Sequence, residues 1–406
     1  MSQSRHLLRT SLQILLIAGF LLLLLTPHLV KATRLVPERQ LVGIRIGEEK
    51  RPSLTFRDWF STRYAGQMDR WLRSETGLHA HFIMLNRQIR FQLFGQVTPA
   101  PMEKTSVIAG TPPWLHENLY LLEALRRPVI APDRLDAYVA SLADIQARLR
   151  RHGKAFVVVL APQKALLHNG HLPRWARPHV ADEHADFPAY LRALRRHGVH
   201  HVDTMALFRT LQPDHPHLVP PHGAHWSYHG AWIAWLNTLT NVNAQQVIAP
   251  VEIPRTDTLR LLPPAGMDDE LRGQLNLYHS VYAAPVPARY PVPAALTNTP
   301  APPLHVMVVG DSFGFGLVDA MARAPLCASI RYLYYMRNIY EATPPQFDPR
   351  QSPIYSRLRN LGFKKDYAVP DAELMKDVNL VVLVCTSFNI DKFGWGFDRM
   401  VKALPE

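Results

Sequence analysis

Cysteine is almost absent from this chain of 406 residues: only Cys327 and Cys385 occur, and neither sits in a metal-ligand spacing. Two readings of the pair stay open. They can join as a disulfide in an oxidising compartment, or Cys385, which ends the apolar run NLVVLVC, is a buried thiol. The H-E-x-x-H pattern of zinc hydrolases is also missing, and there is no repeat of solenoid type. Acidic residues are outnumbered, 33 against 45 Lys and Arg, for a formal net charge of +12. Anionic partners are therefore favoured over cationic ones. The arginines are scattered through helical-looking segments such as ARLRRHGK and YLRALRRHG. No compact basic stripe interleaved with aromatics is present, which argues against nucleic acid as a partner and leaves an anionic membrane surface or an acidic polymer.

Long apolar runs are scarce as well. One, LQILLIAGFLLLLLTPHLV, follows Arg5, His6 and Arg9. Its roughly 19 residues just span a hydrocarbon core of about 30 Å. The positive flank would stay in the cytoplasm and the remainder would be exported. A cleaved signal peptide is the rival reading, because Ile14 to Leu25 is short enough for its apolar region. Pro27, His28 and Lys31 crowd the place where a small-residue cleavage site would stand. The favoured reading is thus a cytoplasmic tail and uncleaved signal anchor over residues 1–31, single-pass in the inner membrane, with the rest in the periplasm.

Hydrophobic residues make up 47% of the chain, enough for one large core or one core with an accessory layer. Residues 32–55 look like an extended linker. From Phe56 to Phe94 the spacing predicts two helices interrupted at Gly77, with Phe56, Trp59, Phe60, Tyr64, Met68, Trp71 and Leu72 as a core stripe. VIAGTPPWLHENLY reads as a short strand and turn entering the main domain. An amphipathic helix over 133–152, closed by Gly153, leads into the continuous apolar run AFVVVLAP. That run is the pattern of a strand buried on both faces. The theme returns in the helix 187–197 before VHHVDT, in HVMVVGDS and in NLVVLVCTS. Strands alternating with helices predict an α/β sandwich around a largely parallel sheet, with chemistry at the carboxyl ends of its strands. Residues 249–303 break this rhythm, are rich in proline and read as a surface excursion or inserted lobe within the 56–406 domain.

Two places carry candidate chemistry. In HVMVVGDSFGFG an apolar strand runs into Gly310, Asp311 and Ser312 and then a helix. Such a turn displays a serine near helix N-terminal amides, which suits a nucleophile beside an oxyanion site. An N-capping serine is the plainer reading, and a nucleophile needs a base within reach. His225, beside Trp226 and just before the helix YHGAWIAWLNTL, is the candidate base. It lies among five histidines, at 215, 217, 222, 225 and 229, of which His225 and His229 have the four-residue spacing of a shared helix face. His215 and His217 fall in a proline-rich loop and no cysteine joins them, so the favoured reading has no metal.

GDSF after a strand, HW before a helix, and FVVVLAPQKALLHNGHLP after an amphipathic helix together resemble the alginate O-acetyltransferase family, the AlgJ/AlgX-like members of the SGNH hydrolase superfamily. DRWLRSETGLHAHFIMLNRQIRFQLFG is similar to that family's helical lead-in, and IAGTPPWLHENLY to its following turn. The similarity covers roughly residues 50–400. It implies a three-layer α/β/α domain that handles acetyl groups on an extracytoplasmic polysaccharide, needs no cofactor, and receives acetyl from a multi-spanning membrane acyltransferase. Ser312 matches the family nucleophile and His225 the family base. Relatives often carry an aspartate two residues before that histidine, and here Gly223 stands in its place. A backbone carbonyl can fix the imidazole tautomer without supplying charge. Asp203, after VHHV, is the candidate replacement acid, with Asp214 behind it, and Asp311 should aim elsewhere. Gly310, Arg337 and Asn389 are candidate oxyanion or substrate contacts, and Lys164 ends a strand on the same sheet edge. A degenerate, polysaccharide-binding relative and a carbohydrate acetylesterase are the alternatives.

Overall fold

Three of the apolar runs become the centre of one sheet. In this computed structural model the described residues are 2–42, 50–60, 62–75, 77–97, 107–125, 130–180, 186–279, 286–296, 303–342, 358–366 and 370–404. They pack as two compact units: Met1–Pro99 with Gly273–Ser280, and Ala100–Arg272 with Val281–Glu406.

The first unit holds α1 (Ser2–Thr33), α2 (Phe56–Trp59), α3 (Thr62–Glu75) and α4 (His79–Phe94). Within α1, Gln13–Thr33 is long and apolar enough to cross a membrane. Of the expected linker, 43–49 lie outside the described residues and the remainder holds no helix or strand beyond the end of α1. Leu41 nevertheless packs with Ala80 and Met84 of α4, and Ile83 and Tyr278 cover them. The break near Gly77 falls where the spacing placed it, but the stripe ahead of it is not core. Phe56, Phe60 and Leu72 are exposed, and Tyr64, Met68 and Trp71 are half-buried. The Trp59 side chain lies outside the described residues. With only four residues, α2 has no face to bury, and Phe56 and Phe60 pack on each other, 5.1 Å between ring centroids.

The second unit opens with an antiparallel pair, β1 (Val107–Ala109) and β2 (Leu115–Glu117), and α5 (Asn118–Leu125). There follow α6 (Pro132–Arg151), β3 (Ala155–Leu160), α7 (Lys164–Leu167), α8 (Phe187–Arg196), β4 (His201–Asp203), α9 (Thr204–Leu211) and α10 (Tyr228–Gln245). Then come β5 (Thr256–Leu262), α11 (Glu270–Gln274, whose last two residues count with the first unit), β6 (Ala288–Pro293), β7 (Leu304–Gly310), α12 (Phe313–Arg323), β8 (Cys327–Tyr334), β9 (Asn338–Ala342), β10 (Arg359–Phe363) and β11 (Leu380–Cys385). The sheet order is β10-β9-β8-β7-β11-β3-β4. From β8 to β4 the strands are parallel, while β9 and β10 add antiparallel at one edge. Every residue of β3 and β11 is buried, as expected of strands covered on both faces. Leu135, Val139, Leu142, Ile145 and Leu149 line the buried side of α6, which stops at Gly153 in a left-handed conformation, φ +66°. Helices α6 and α8 pack together, as do α10 and α12, giving the two helical layers of the sandwich.

Cys327 and Cys385 are both free, buried thiols, on strands separated by β7. The proline-rich stretch is more than a surface excursion. Here β5 and β6 pair as a separate antiparallel hairpin, and between them Met267 and Leu271 are fully buried, as is Tyr290 on β6. Residues 280–285 and 297–302 of that stretch lie outside the described set.

Candidate active site

Strand β7 ends at Gly310 between β8 and β11, so the turn that follows is fixed by ladders on both sides. Asp311 is buried and is the hub of that turn. Its Oδ2 accepts from the Thr386 N–H, the Thr386 hydroxyl and Asn389 Nδ2, each at 2.8 Å, and its Oδ1 accepts from the Phe313 N–H at 3.2 Å. The Tyr332 hydroxyl donates to the Asp311 carbonyl. Ser312 then takes the N-cap position of α12 but makes no side-chain cap. Its Oγ lies 2.7 Å from His225 Nε2 instead. Its backbone N–H has no hydrogen-bond partner among the described residues and stands at the positive end of α12, where a developing oxyanion would be stabilised.

His225 is carried by the loop before α10, and that loop is held from beneath. Lys164, at the start of α7, is fully buried and donates to the carbonyls of Pro220 (2.8 Å), Pro221 (2.9 Å) and Gly223 (2.6 Å). Three acceptors use three N–H bonds, which only the protonated amine possesses. Burial pushes the Lys164 pKa well down, while Glu270 and Glu117 pull it back. Ser227 caps α10 through the Gly230 N–H at 3.0 Å, and Trp226 is buried edge-on to Phe313. The other four clustered imidazoles fall into three separate surroundings. His215 and His229 pack on each other, His217 lies near Trp114, and His222 is buried beside Asp269.

The second ring nitrogen of His225 meets Glu270, not an aspartate of the β4 region. Nδ1 donates to Glu270 Oε1 at 2.5 Å, and the same oxygen accepts from the backbone N–H of Ala224 (2.8 Å) and His225 (3.2 Å). A carboxylate only accepts, so the proton rests on Nδ1 and Nε2 is left to receive the Ser312 proton. Gly223 is what lets this segment in. A Cβ at that position would lie 1.9 Å from the Met267 carbonyl oxygen and 2.7 Å from Pro220 Cγ. The Leu271 N–H also donates to the His222 carbonyl at 2.9 Å, so α11 is tied to the histidine loop through Leu271 as well as through Glu270.

Asp203 is therefore not the acid. Its carboxylate caps α9 through the Ala206 N–H at 3.1 Å and faces Arg195 at 4.0 Å. Asp214 is exposed. Asn389 is buried under Asp311, and its amide donates to Asp311 Oδ2 (2.8 Å) and lies 3.1 Å from Thr386 Oγ1, which ties it to the Asp311 hub. Gly310 accepts from the Tyr335 N–H at 2.8 Å and serves the turn. Arg337 is exposed in the β8–β9 turn, with its guanidinium over the Phe363 ring at 5.3 Å, and touches neither Ser312 nor His225 among the described residues. The missed residue, Glu270, stands in GMDDELRG, an acidic, helix-compatible island in a proline-rich stretch, and the glycine at 223 was the sign that a carboxylate had to come from elsewhere.

Electrostatics follow from this packing. Burial alone would lower the His225 pKa, but the charge and hydrogen bond of Glu270, helped by Glu117 and Asp311, hold it above the ordinary imidazole value. Burial would raise Glu270; the imidazolium and the two backbone amides outweigh it and bring the carboxyl down. Asp311 is raised, chiefly by burial, against its donors. Ser312, His225 and Glu270 thus form one hydrogen-bonded line, the arrangement that lets an imidazole take a serine proton.

Residues 107–317, just over half the chain and inclusive of Ser312, His225 and Glu270, match the family of SGNH hydrolase-like domains of acetyltransferase AlgX. No curated protein matches the chain in sequence. Among solved structures it is similar to the O-acetyltransferase domain of Pseudomonas putida AlgJ, at 15% identity over 73% of this chain and 99% of that one, with a TM-score of 0.42. Pseudomonas aeruginosa AlgX aligns at 17% identity over 74% and 67%, TM-score 0.42. Bacillus cereus PatB1 with a sulfonyl adduct aligns at 14% identity over 71% and 98%, TM-score 0.44. The chain belongs to the AlgX-like acetyltransferase family of SGNH hydrolase-like domains.

Proposed function

We propose that this chain is a membrane-anchored, periplasmic O-acetyltransferase acting on an exported polysaccharide through an acetyl-serine intermediate. The observation that carries the proposal is the line Glu270–His225–Ser312. Ser312 Oγ attacks the carbonyl of an acetyl donor as His225 Nε2 takes its proton, and the imidazolium gives that proton to the departing group. A sugar hydroxyl then loses its proton to His225 and attacks the acetyl-serine; Ser312 leaves and recovers the proton. Glu270 holds the Nδ1–H tautomer and stabilises the imidazolium in both halves. The Ser312 N–H receives the oxyanion. Gly223 does not count against catalysis in this reading, because Glu270 supplies the carboxylate that an aspartate there would have given.

The α1 span supports an inner-membrane anchor with the second unit in the periplasm, and the donor would be a multi-spanning membrane acyltransferase. The net charge of +12 and a shallow recess lined by Met336, Arg337, Phe363 and Lys365 suit an anionic acceptor. An esterase would share the acetyl-serine and differ only in letting water win the second step. The test offers an acetyl ester with and without an oligosaccharide acceptor, comparing the wild type with Ser312→Ala. Acetylated sugar that requires Ser312 is the expected result. Free acetate alone makes the chain an esterase, and no turnover with no acetyl-serine trapped ends the catalytic reading.

A further inference from the structure

Helix α4 is apolar on two nearly opposite sides, and only one of them is covered. Ala80, Met84 and Gln88 are buried, with Leu41, Ile83 and Tyr278 around them. Phe82, Leu85, Ile89 and Leu93, spaced by three, four and four residues, form a second stripe that is between 45% and 69% exposed. At about 100° per residue the two stripes are centred roughly 140° apart. A helix facing only water on that side would carry polar residues there.

The position of the helix indicates what the second stripe meets. Gly77, two residues before α4 begins, sits against the end of α1: a Cβ there would lie 2.1 Å from the Pro27 carbonyl oxygen and 3.0 Å from Lys31 Cβ. Pro27 and Lys31 belong to the last two turns of the apolar span Gln13–Thr33. The start of α4 is thereby fixed at the depth where α1 leaves the hydrocarbon. Charge agrees with that depth. Between Phe56 and Phe94 six arginines outnumber three carboxylates, Asp58, Asp69 and Glu75. Arg73 pairs with Asp69 and Arg87 donates to the carbonyls of Gln274 and Leu275, which leaves Arg57, Arg63, Arg70 and Arg90 as the charge for a surface. Arginine-rich helices with an apolar face lie in the interface of anionic bilayers.

We infer that α4 lies on the bilayer surface on the exit side of α1, with Phe82, Leu85, Ile89 and Leu93 in the headgroup and upper acyl region and Arg57, Arg63, Arg70 and Arg90 among anionic phosphates. This rests on the anchoring proposed above. A phospholipid surface is the occupant, and no protein partner is needed to cover the stripe.

The test uses the full chain in vesicles of phosphatidylethanolamine and phosphatidylglycerol. Phe82→Cys, Ile89→Cys and Leu93→Cys each carry a nitroxide label, with Lys402→Cys as the aqueous reference; the buried Cys327 and Cys385 thiols stay unlabelled in the folded protein. Collisions with oxygen, which partitions into lipid, are compared with collisions with a water-soluble nickel chelate. The expected result is an oxygen-to-nickel ratio severalfold above the reference at all three stripe positions, in protein that resists an alkaline carbonate wash. Extraction by carbonate overturns the anchor and the interface together. Retention with ratios equal to the reference overturns the interface alone. Leu85→Cys, on the same exposed stripe, replaces any position whose variant does not fold.

Discussion

Ser312 reaches His225 on a strand-to-helix turn, whereas Glu270 reaches it on a five-residue helix between the strands of a separate hairpin. The first is held by ladders to β8 and β11 and by the Asp311 hub. The second is held by Met267 against Gly223, by one backbone bond from Leu271 to His222, and by the Ala224 and His225 amides that donate to the Glu270 carboxylate. The nucleophile cannot move without breaking the sheet, while the acid can be withdrawn with the sheet intact. Catalytic power in this site should therefore depend on the sheet for its existence and on the docked segment for its magnitude.

The largest expected loss tests the sheet side. Ser312→Ala should reduce acetyl transfer by roughly 10⁵–10⁶-fold, and adding His225→Ala should cost little more, since the two act as a unit. Glu270→Gln comes next, at roughly 10²–10⁴-fold in kcat, and it carries a pH signature. His225 must be neutral to accept the serine proton, so activity falls as pH drops through its pKa. Glu270 holds that pKa up; without its charge, burial dominates and pulls it down. The acid limb of the pH–rate profile should move to lower pH even as the maximum falls. An unmoved limb would mean that Glu270 does not set the charge on His225.

Smaller effects separate the two supports further. Lys164→Met leaves the carbonyls of Pro220, Pro221 and Gly223 without their donor in a buried place, a cost on the order of 3 kcal/mol, read as a lower Tm with a fall in kcat. Gly223→Asp restores the family pattern in sequence yet collides with the Met267 carbonyl, at about 1–3 kcal/mol of overpacking. Combined with Glu270→Gln it should not recover activity. Recovery would show that an aspartate at 223 can reach His225 after all and that the docked segment is dispensable.

Legibility in the sequence follows the same division. An apolar run such as VMVV can hardly be anything but a buried strand, and a small polar residue at its end is displayed by geometry, so Ser312 was readable. His225 was readable from its tryptophan and the helix that follows. Glu270 was not, because nothing local in GMDDELRG says which distant loop it will touch; only the vacancy at Gly223 hinted at it. Lys164 was visible as a residue at a strand end, but its partners are backbone carbonyls, which leave no trace in composition. Asn389 sat at the right sheet edge for an oxyanion donor, and its burial beneath Asp311 gave it a different task. The aromatic stripe of residues 56–72 had the period of a core helix; period reports amphipathicity and not what the apolar face meets.

Asp268, two residues before Glu270, offers the mildest way to sharpen the comparison. Its carboxyl is pushed up to about 8, first by burial and further by Glu270 and Asp319, against the Tyr228 amide and Arg323. Glu270 is moved the opposite way because it has an imidazole to pair with. Between an unfolded value of about 3.9 and the folded value, the native state holds a proton that the unfolded chain has released, so stability falls as pH rises across that window and levels off above it. Asp268→Asn stays neutral throughout and keeps the size of the side chain. It should raise Tm, by an amount equivalent to a few kcal/mol near pH 8 and clearly less at pH 5. Because α11 carries Glu270, the same variant should also hold activity to higher temperature at pH 8 than the wild type does, with little change at 25 °C. A gain in Tm of equal size at both pH values would mean that the docked segment does not lose stability as Asp268 ionises.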